Sequence, residues 1–542
     1  MSTRAIVGWS VFFGLLTILL RIPFLFRYDL YFQSGIAVPY LQCKRLMHGE
    51  FSIYCWATDY AGITPCEPLA ALLFRVFGPS IPLVCFTGLF AWALGVAVLV
   101  GYIGRVYGRA AAVGSGVALT IEVPFLLMYN TQPMFTYSCM PLYIAGFVWL
   151  TAILVRRGPK SKVALLIGLL MGYMWYMNKQ VLILWASIGL ALLVLPQSRK
   201  FLASFLRSRM LWGMILAFVI GYMPEILYKM GCFDHEGRKG DTSSFFRVAT
   251  PGLVARNWYM YFRCLPTYFN ADPWSRTPEN VHYLNHVEDW ESYPRYPSDT
   301  VGILAAILVI GYGLRQLREA YRERRLETLL LGALPVADLL LILFAASADG
   351  SYYKIRRYIL PAGVVFLVWW GLRLAEDWRA RRWVTAGILA LALLISLVQQ
   401  YQMLAWPDDL ADYRRTAEDI ENHGHKYGLS FYSYAHTLTA LSNERLQFGV
   451  IDHTVQNPYQ RTVLEQPEVV FVWPYTTPPP MEFAQKLVFG QVLFQDATPR
   501  TFPKDLAVLG WLYTRIDEPH PNGELAWAVY RKVGTVGPPP GP

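Results

Sequence analysis

The sequence predicts an α-helical polytopic membrane protein with a small α/β domain at its C-terminal end. Three observations predict it. Of 542 residues, 54% are hydrophobic and only 16% are charged, a balance typical of membrane proteins and foreign to large soluble enzymes. The apolar residues are gathered into runs of membrane-crossing length. From Ala405 onward that clustering is lost, and strand-like segments alternate with helix-like ones.

In chain order, apolar runs stand at 9–26, 81–103, 110–128, 140–155, 163–176, 181–195, 210–228, 301–314, 328–346, 359–372 and 384–403, about eleven spans in all. Crossing a hydrocarbon core of ~30 Å takes ~20 helical residues, so the runs at 163–176 and 359–372 are short for the task. The first run ends in "RIPFLFRYD" with no small-residue cleavage site. It is therefore a helix of the mature protein and not a signal peptide.

Short basic loops stay in the cytoplasm. The segments 105–109, 156–162 ("RRGPKSK"), 199–209, 315–325 and 373–382 are all basic, and with Arg4 they fall on one side of an eleven-span chain. This places the N-terminus in the cytoplasm. The formal charge of +10 is then a topogenic signal, and it calls for no nucleic-acid partner. The other side receives 27–80, 231–300 and the tail after 404, which hold most of the Trp, Tyr, Pro and Asp. A shaped polar site is sought on that face.

The division into domains follows: 1–404 transmembrane and 405–542 a soluble extracytoplasmic domain. In the tail, "LADYRRTAEDIENHGHKYG" has helical spacing, "LSFYSYA" reads as a strand and "HTLTALSNERL" as a helix, while "PEVVFVWP" and "LAWAVYRKV" read as strands. Such alternation gives a small α/β domain, and "GPPPGP" at the end joins neither helix nor sheet. Seven cysteines are present, and an oxidising compartment permits pairs such as Cys232 with Cys264 or Cys55 with Cys66, although spacing alone decides nothing.

The loop beginning "FRYDLYFQSG" places Asp29 where the chain leaves the membrane. A solvated headgroup position explains a single such acid. Around it, however, stand "MHGE", "DYAG" and "EPLAALLFRVFG", and further on "GYMWYMNKQVLILW", "SYYKIRRYILPAG" and "YSYAHTLTALSNERL". Together these segments resemble the GT-C superfamily of membrane glycosyltransferases, in particular bacterial mannosyltransferase and aminoarabinose-transferase-like members. The resemblance extends along nearly the whole chain.

It implies an inverting transfer of a sugar from a polyprenyl-phosphate carrier to an acceptor hydroxyl on the extracytoplasmic face. The acceptor is a lipid, a glycan or a protein, and the membrane a bacterial plasma membrane. Asp29 occupies the position of the family's acidic residue and is carried over as the catalytic base. The leaving phosphate needs positive charge at the outer headgroup level. Lys354, Arg356 and Arg357 in "YKIRRY" supply it against the positive-inside bias, with Lys179 as a second source; snorkelling to lipid headgroups is the alternative role for each. Asp59, Tyr60 and Glu67 are candidates for binding substrate hydroxyls. Glu67 also reads as a helix cap, with Thr64 at the N-cap and Pro65 at the first helical position.

His282 and His286 have i, i+4 spacing, but there is no HExxH, and the tail lacks the WWD of metal-using relatives. No cofactor is expected, and a metal-independent mechanism is favoured. P-loop, G-x-S-x-G, dinucleotide and zinc-cluster signatures are all missing. The competing reading is a transporter or flippase of lipid-linked saccharides, which calls for polar or broken helices at mid-membrane in equivalent halves.

Overall fold

The structure, a computed structural model, describes residues 3–31, 34–52, 62–133, 135–230, 249–269, 297–344, 355, 357–405, 408, 410–451, 457–474, 492–493, 502, 504–522 and 525–535. Among them, seven helices are long and apolar enough to cross a membrane: α1 (Thr3–Leu25), α4 (Ile81–Tyr107), α8 (Met140–Arg157), α12 (Arg209–Lys229), the Thr300–Arg322 part of α14 (Pro297–Arg322), α15 (Leu326–Phe344) and α17 (Trp383–Met403). The chain is a multi-pass membrane protein. Two bent pairs bring the number to nine: α5 (Arg109–Ile121) with α6 (Pro124–Thr131), and α10 (Leu182–Val194) with α11 (Pro196–Leu206).

Two of the eleven expected spans differ in kind. The run at 163–176 forms α9 (Val163–Met177), only 15 residues long. The run at 359–372 forms α16 (Leu360–Arg379), buried along most of its apolar length and continued by Arg373, Glu376, Asp377 and Arg379. A helix wrapped by other helices needs no uniformly apolar surface, because its neighbours and not lipid are its solvent. At Gly114 of α5 an added Cβ would lie 2.2 Å from the Gly371 carbonyl of α16, and at Gly371 it would lie 2.3 Å from the Gly114 carbonyl. The missing side chains let these two backbones touch.

The run at 110–128 is also not one straight helix. It breaks between Ile121 and Pro124 with a bend of 73°. Glu122 at the break has φ of 47°, a left-handed backbone that disfavours a residue with a Cβ, and Pro124 starts the next helix. Burial holds the break in place. Arg21 of α1 donates to Glu122 Oε1 from Nη2 at 2.8 Å and to the Ile121 carbonyl at 3.0 Å, and both side chains are fully buried. Asn130 donates to the same carboxylate oxygen, and Gln400 of α17 donates to the Ile121 carbonyl at 2.8 Å. Freed backbone groups in a membrane interior have to find partners, and these side chains supply them.

The C-terminal part is a mixed sheet of order β2-β1-β3-β8-β6-β5-β4, with β7 beside β8. Its strands are β1 (Tyr427–Ser430), β2 (Gln447–Val450), β3 (Glu468–Pro474), β4 (Val492–Leu493), β5 (Asp505–Val508), β6 (Trp511–Arg515), β7 (His520–Asn522) and β8 (Leu525–Thr535). β1 pairs in parallel with β2 and β3, and the other ladders are antiparallel. Period-two alternation sorts the side chains. Val470, Val472, Trp527 and Val529 face α18 (Ala411–Asn422) and α19 (Tyr432–Leu441), whereas Val469, Phe471, Ala528 and Tyr530 join a core shared with α2 (Ser34–Met47) and α3 (Cys66–Phe77).

The strand expected at "LSFYSYA" is shorter than the reading. It ends at Ser430, whose hydroxyl donates to the Val472 carbonyl, and Tyr432 already opens α19. The β-propensity of Phe431 and Tyr432 gives way to helix packing against the sheet.

Candidate functional site

Pro23 lies in the last turns of α1, and after Leu25 the chain tightens into a 3-10 turn over Tyr28–Tyr31. Asp29 sits on that turn and is 5% exposed. Arg27 grips it side-on: Nε donates to Oδ1 at 3.0 Å and Nη2 to Oδ2 at 2.9 Å. The third nitrogen of the same guanidinium donates to the carbonyls of Met403 and Leu404 at the end of α17. One planar fork thus fixes the carboxylate to a helix C-terminus, where its positive charge is also favoured. A carboxylate has about four acceptor sites, so a hydroxyl group is still accommodated beside the two that Arg27 uses.

Tyr28 joins this turn to two other regions. Its carbonyl accepts from Gln132 Nε2 at 3.3 Å. Its hydroxyl accepts from Arg414 Nη2 at 3.3 Å, and Arg414, on α18 of the C-terminal domain, pairs with Asp408. The sheet domain therefore reaches the Asp29 turn through one arginine. Neither Arg27 nor Arg414 was singled out in the sequence. Arg27 next to Asp29 is a visible local signal, while Arg414 has none.

Glu67 is buried at the start of α3, 6% exposed. Its Oε2 accepts from the Thr64 amide at 2.8 Å and the Thr64 hydroxyl at 2.5 Å, while Thr64 Oγ1 accepts from the Cys66 amide at 3.1 Å. Glu67 folds back on Thr64 as the spacing predicts, but the helix begins one residue later than expected: Pro65 stands at the N-cap, and Thr64 Oγ1 takes the Cys66 amide in place of the Glu67 amide. Among the described residues no cation offsets the loss of water, so burial pushes its carboxyl up to about 7. The preceding residues are clamped to the end of α9: the Ile63 amide donates to the Tyr176 hydroxyl at 3.1 Å, and the Tyr173 hydroxyl donates to the Ile63 carbonyl at 3.1 Å.

Lys179 follows α9 and is almost fully buried. Its ammonium donates to Glu225 of α12 and to the Trp175 carbonyl, and Lys229 holds the other oxygen of Glu225 at 2.9 Å. Arg357 stands just before α16 with its guanidinium 5.8 Å from the Tyr137 ring centroid, a cation–π distance. Tyr137 lies on α7 (Phe135–Ser138), and its hydroxyl accepts from Gln180 at 3.4 Å. The segment from Glu122 to Cys139 is consequently a hub: it touches Arg21, Tyr28, Gln180 and Arg357 through Glu122, Gln132 and Tyr137. In the sequence most of it falls in an apolar run and a short connection. The polar run Asn130–Gln132 after Pro124 was the available signal.

Asp59, Tyr60, Lys354 and Arg356 lie outside the described residues, as do His282, His286, Cys55 and Cys232. Among the described residues no three His, Cys, Asp or Glu stand close enough together to hold a metal ion. Both oxygens of Asp29 are held by the Arg27 guanidinium.

No protein-family model matches the sequence, and no curated protein does. Solved structures do. ArnT from Cupriavidus metallidurans in the apo state is 13% identical and superposes with a TM-score of 0.50 over 96% of this chain and 98% of that one. The same protein bound to undecaprenyl phosphate is 13% identical, with a TM-score of 0.49 over the same shares. The oligosaccharyltransferase of Archaeoglobus fulgidus, in complex with Zn and sulfate, is 13% identical, with a TM-score of 0.46 over 85% of this chain and 67% of that one. The fold is the GT-C type, helical in the membrane with a C-terminal sheet domain, as the motifs imply.

Proposed function

We propose that this protein is an inverting glycosyltransferase of a bacterial plasma membrane, moving a sugar from a polyprenyl-phosphate carrier to an acceptor hydroxyl on the extracytoplasmic face. The observation that carries the reading is Asp29: a buried carboxylate on a tight turn at the end of α1, oriented by Arg27 and braced on α17, in a chain with the fold of ArnT. ArnT from Cupriavidus metallidurans binds undecaprenyl phosphate, the class of carrier proposed here.

In the reaction Asp29 accepts the proton of the acceptor hydroxyl as its oxygen attacks the anomeric carbon from the face opposite the phosphate. The bond from that carbon to the phosphate oxygen breaks, and the electron pair leaves with the polyprenyl phosphate. Arg357, with Lys354 and Arg356 in the same segment, stabilises the charge that develops there. Lys179 is bound to Glu225 and acts first on the packing of α9 against α12. Asp59, Tyr60 and Glu67 belong to the loop that meets substrate. No metal ion takes part in this scheme.

The test compares purified wild-type protein with Asp29→Asn for transfer from radiolabelled polyprenyl-phosphate sugars to membrane extracts, with and without EDTA. A loss of about 10²–10⁴-fold in the variant, with wild-type transfer surviving chelation, is expected. Equal activity in both proteins removes Asp29 from the mechanism. No transfer with any donor, together with vesicle flipping of the same lipids, replaces the enzyme by a flippase.

A further inference from the structure

Two thiols meet beside the candidate site. Cys66 opens α3, where Cys66, Ala70 and Phe74 recur every four residues and are buried together. Cys139 is the N-cap of α8, ahead of Pro141 in its first turn. The two sulfurs are 3.9 Å apart although the residues are 73 positions apart in the chain, and each residue is 3% exposed. Both are free thiols in this structure.

Their side of the membrane follows from charge. Arg156 and Arg157 close the opposite end of α8, 18 residues away, about 27 Å at the helical rise. A basic helix end of this kind stays in the cytoplasm, which leaves Cys66 and Cys139 at the outer surface, in the compartment where disulfides form and persist.

We propose that Cys66 and Cys139 are joined by a disulfide that staples the start of α3 to the junction of α7 and α8. Two S–H bonds break and one S–S bond forms. The S–S bond of an external disulfide donor breaks in exchange, and its two sulfurs take up the two protons and the two electrons to become thiols. The route is a mixed disulfide of the first cysteine with the donor, resolved by attack of the second. In the folded chain the hydrogen bond to Cys139 and burial raise the Cys66 thiol well above its ordinary range, and no donor reaches it. Exchange therefore takes place during folding, before α3 packs, and the finished bond resists reduction. Its place matters because Glu67 follows Cys66 directly, and Cys139 ends the hub segment that contacts Tyr28 and Arg357. The proposal does not depend on the reaction catalysed.

The experiment takes the full-length protein purified without reductant. Free thiols are alkylated in denaturant, the chain is digested, and linked peptides are sequenced by mass spectrometry. A peptide pair joining Cys66 to Cys139 is expected, lighter by two hydrogens than its parts, and absent from Cys66→Ser and Cys139→Ser. Reductant present while the chain unfolds, when the bond becomes accessible, is expected to lower the midpoint of thermal unfolding of wild type and to leave the double variant unmoved. Recovery of both cysteines in alkylated form overturns the proposal, as does a bond from Cys66 to Cys55 or from either cysteine to any other. Mapping the wild-type protein alone decides the matter if the serine variants fail to fold.

Discussion

Asp29 and Glu67 are carboxylates of almost equal exposure, 5% and 6%, in different company. Asp29 has a guanidinium on both oxygens, whereas Glu67 has one hydroxyl and backbone amides. The difference gives Glu67 a pH dependence of definite sign. Its folded carboxyl sits near 7, above the value of about 4.3 for an unfolded chain. The folded state then binds more protons between these values. Its stabilising contribution is complete below the lower value and is lost as pH rises through the upper one, by up to about 4 kcal/mol. Hydrogen exchange over residues 62–70 is expected to be slower at pH 5 than at pH 8 after correction for intrinsic rates, and Glu67→Gln is expected to flatten the difference. Arg21 poses a separate question, since its fully buried partner Glu122 also holds the break after α5. Arg21→Met leaves that carboxylate without its cation and is expected to cost about 3–5 kcal/mol, read as lost thermal stability in detergent. Replacing both partners with apolar residues costs less.

At the scale of elements, α9 and α12 are held together by backbone contact. An added Cβ at Gly172 would stand 2.0 Å from the Phe218 carbonyl, and one at Gly168 would stand 2.2 Å from the Met214 carbonyl. These glycines are four apart and line one face of α9, the small-residue pattern of close helix pairs. The same pair carries Lys179 and Glu225 at its outer end. Gly172→Leu is therefore expected to separate the helices, cutting folded yield several-fold in size-exclusion profiles, while substitution of Gly189, which has open space around its Cβ position, is tolerated. The contact of Glu67 with Thr64 at the start of α3 was legible because it is written in four consecutive residues, Thr64 to Glu67. The break after Ile121 was not, because a buried arginine a hundred residues away stabilises it.

Across the whole molecule, the sheet domain rests on the first external segment. Lys44 of α2 pairs with Glu444 at 2.6 Å and donates to Asn443 Oδ1 at 2.8 Å, and the Tyr40 hydroxyl donates to the same Oδ1 at 3.2 Å. Arg414 adds the contact to Tyr28. Lys44→Glu places like charges face to face and is expected to weaken docking by about 1 kcal/mol, seen as faster hydrogen exchange in 36–47. The exchange Lys44→Glu with Glu444→Lys restores part of the protection.

By itself the sequence determined which segments are apolar enough to lie in a membrane, the helical character of the membrane part and the acid at the end of α1, because apolar run length and local turn chemistry act within a few residues. Tertiary structure alone decided that Arg27 ties Asp29 to α17, that Arg21 and Gln400 sustain a break in α5–α6, that Lys179 belongs to Glu225, and that Cys66 faces Cys139. Each of these joins residues from 46 to 376 positions apart. The partner of a buried charge or thiol is chosen by which helices pack together, and no local pattern records that choice.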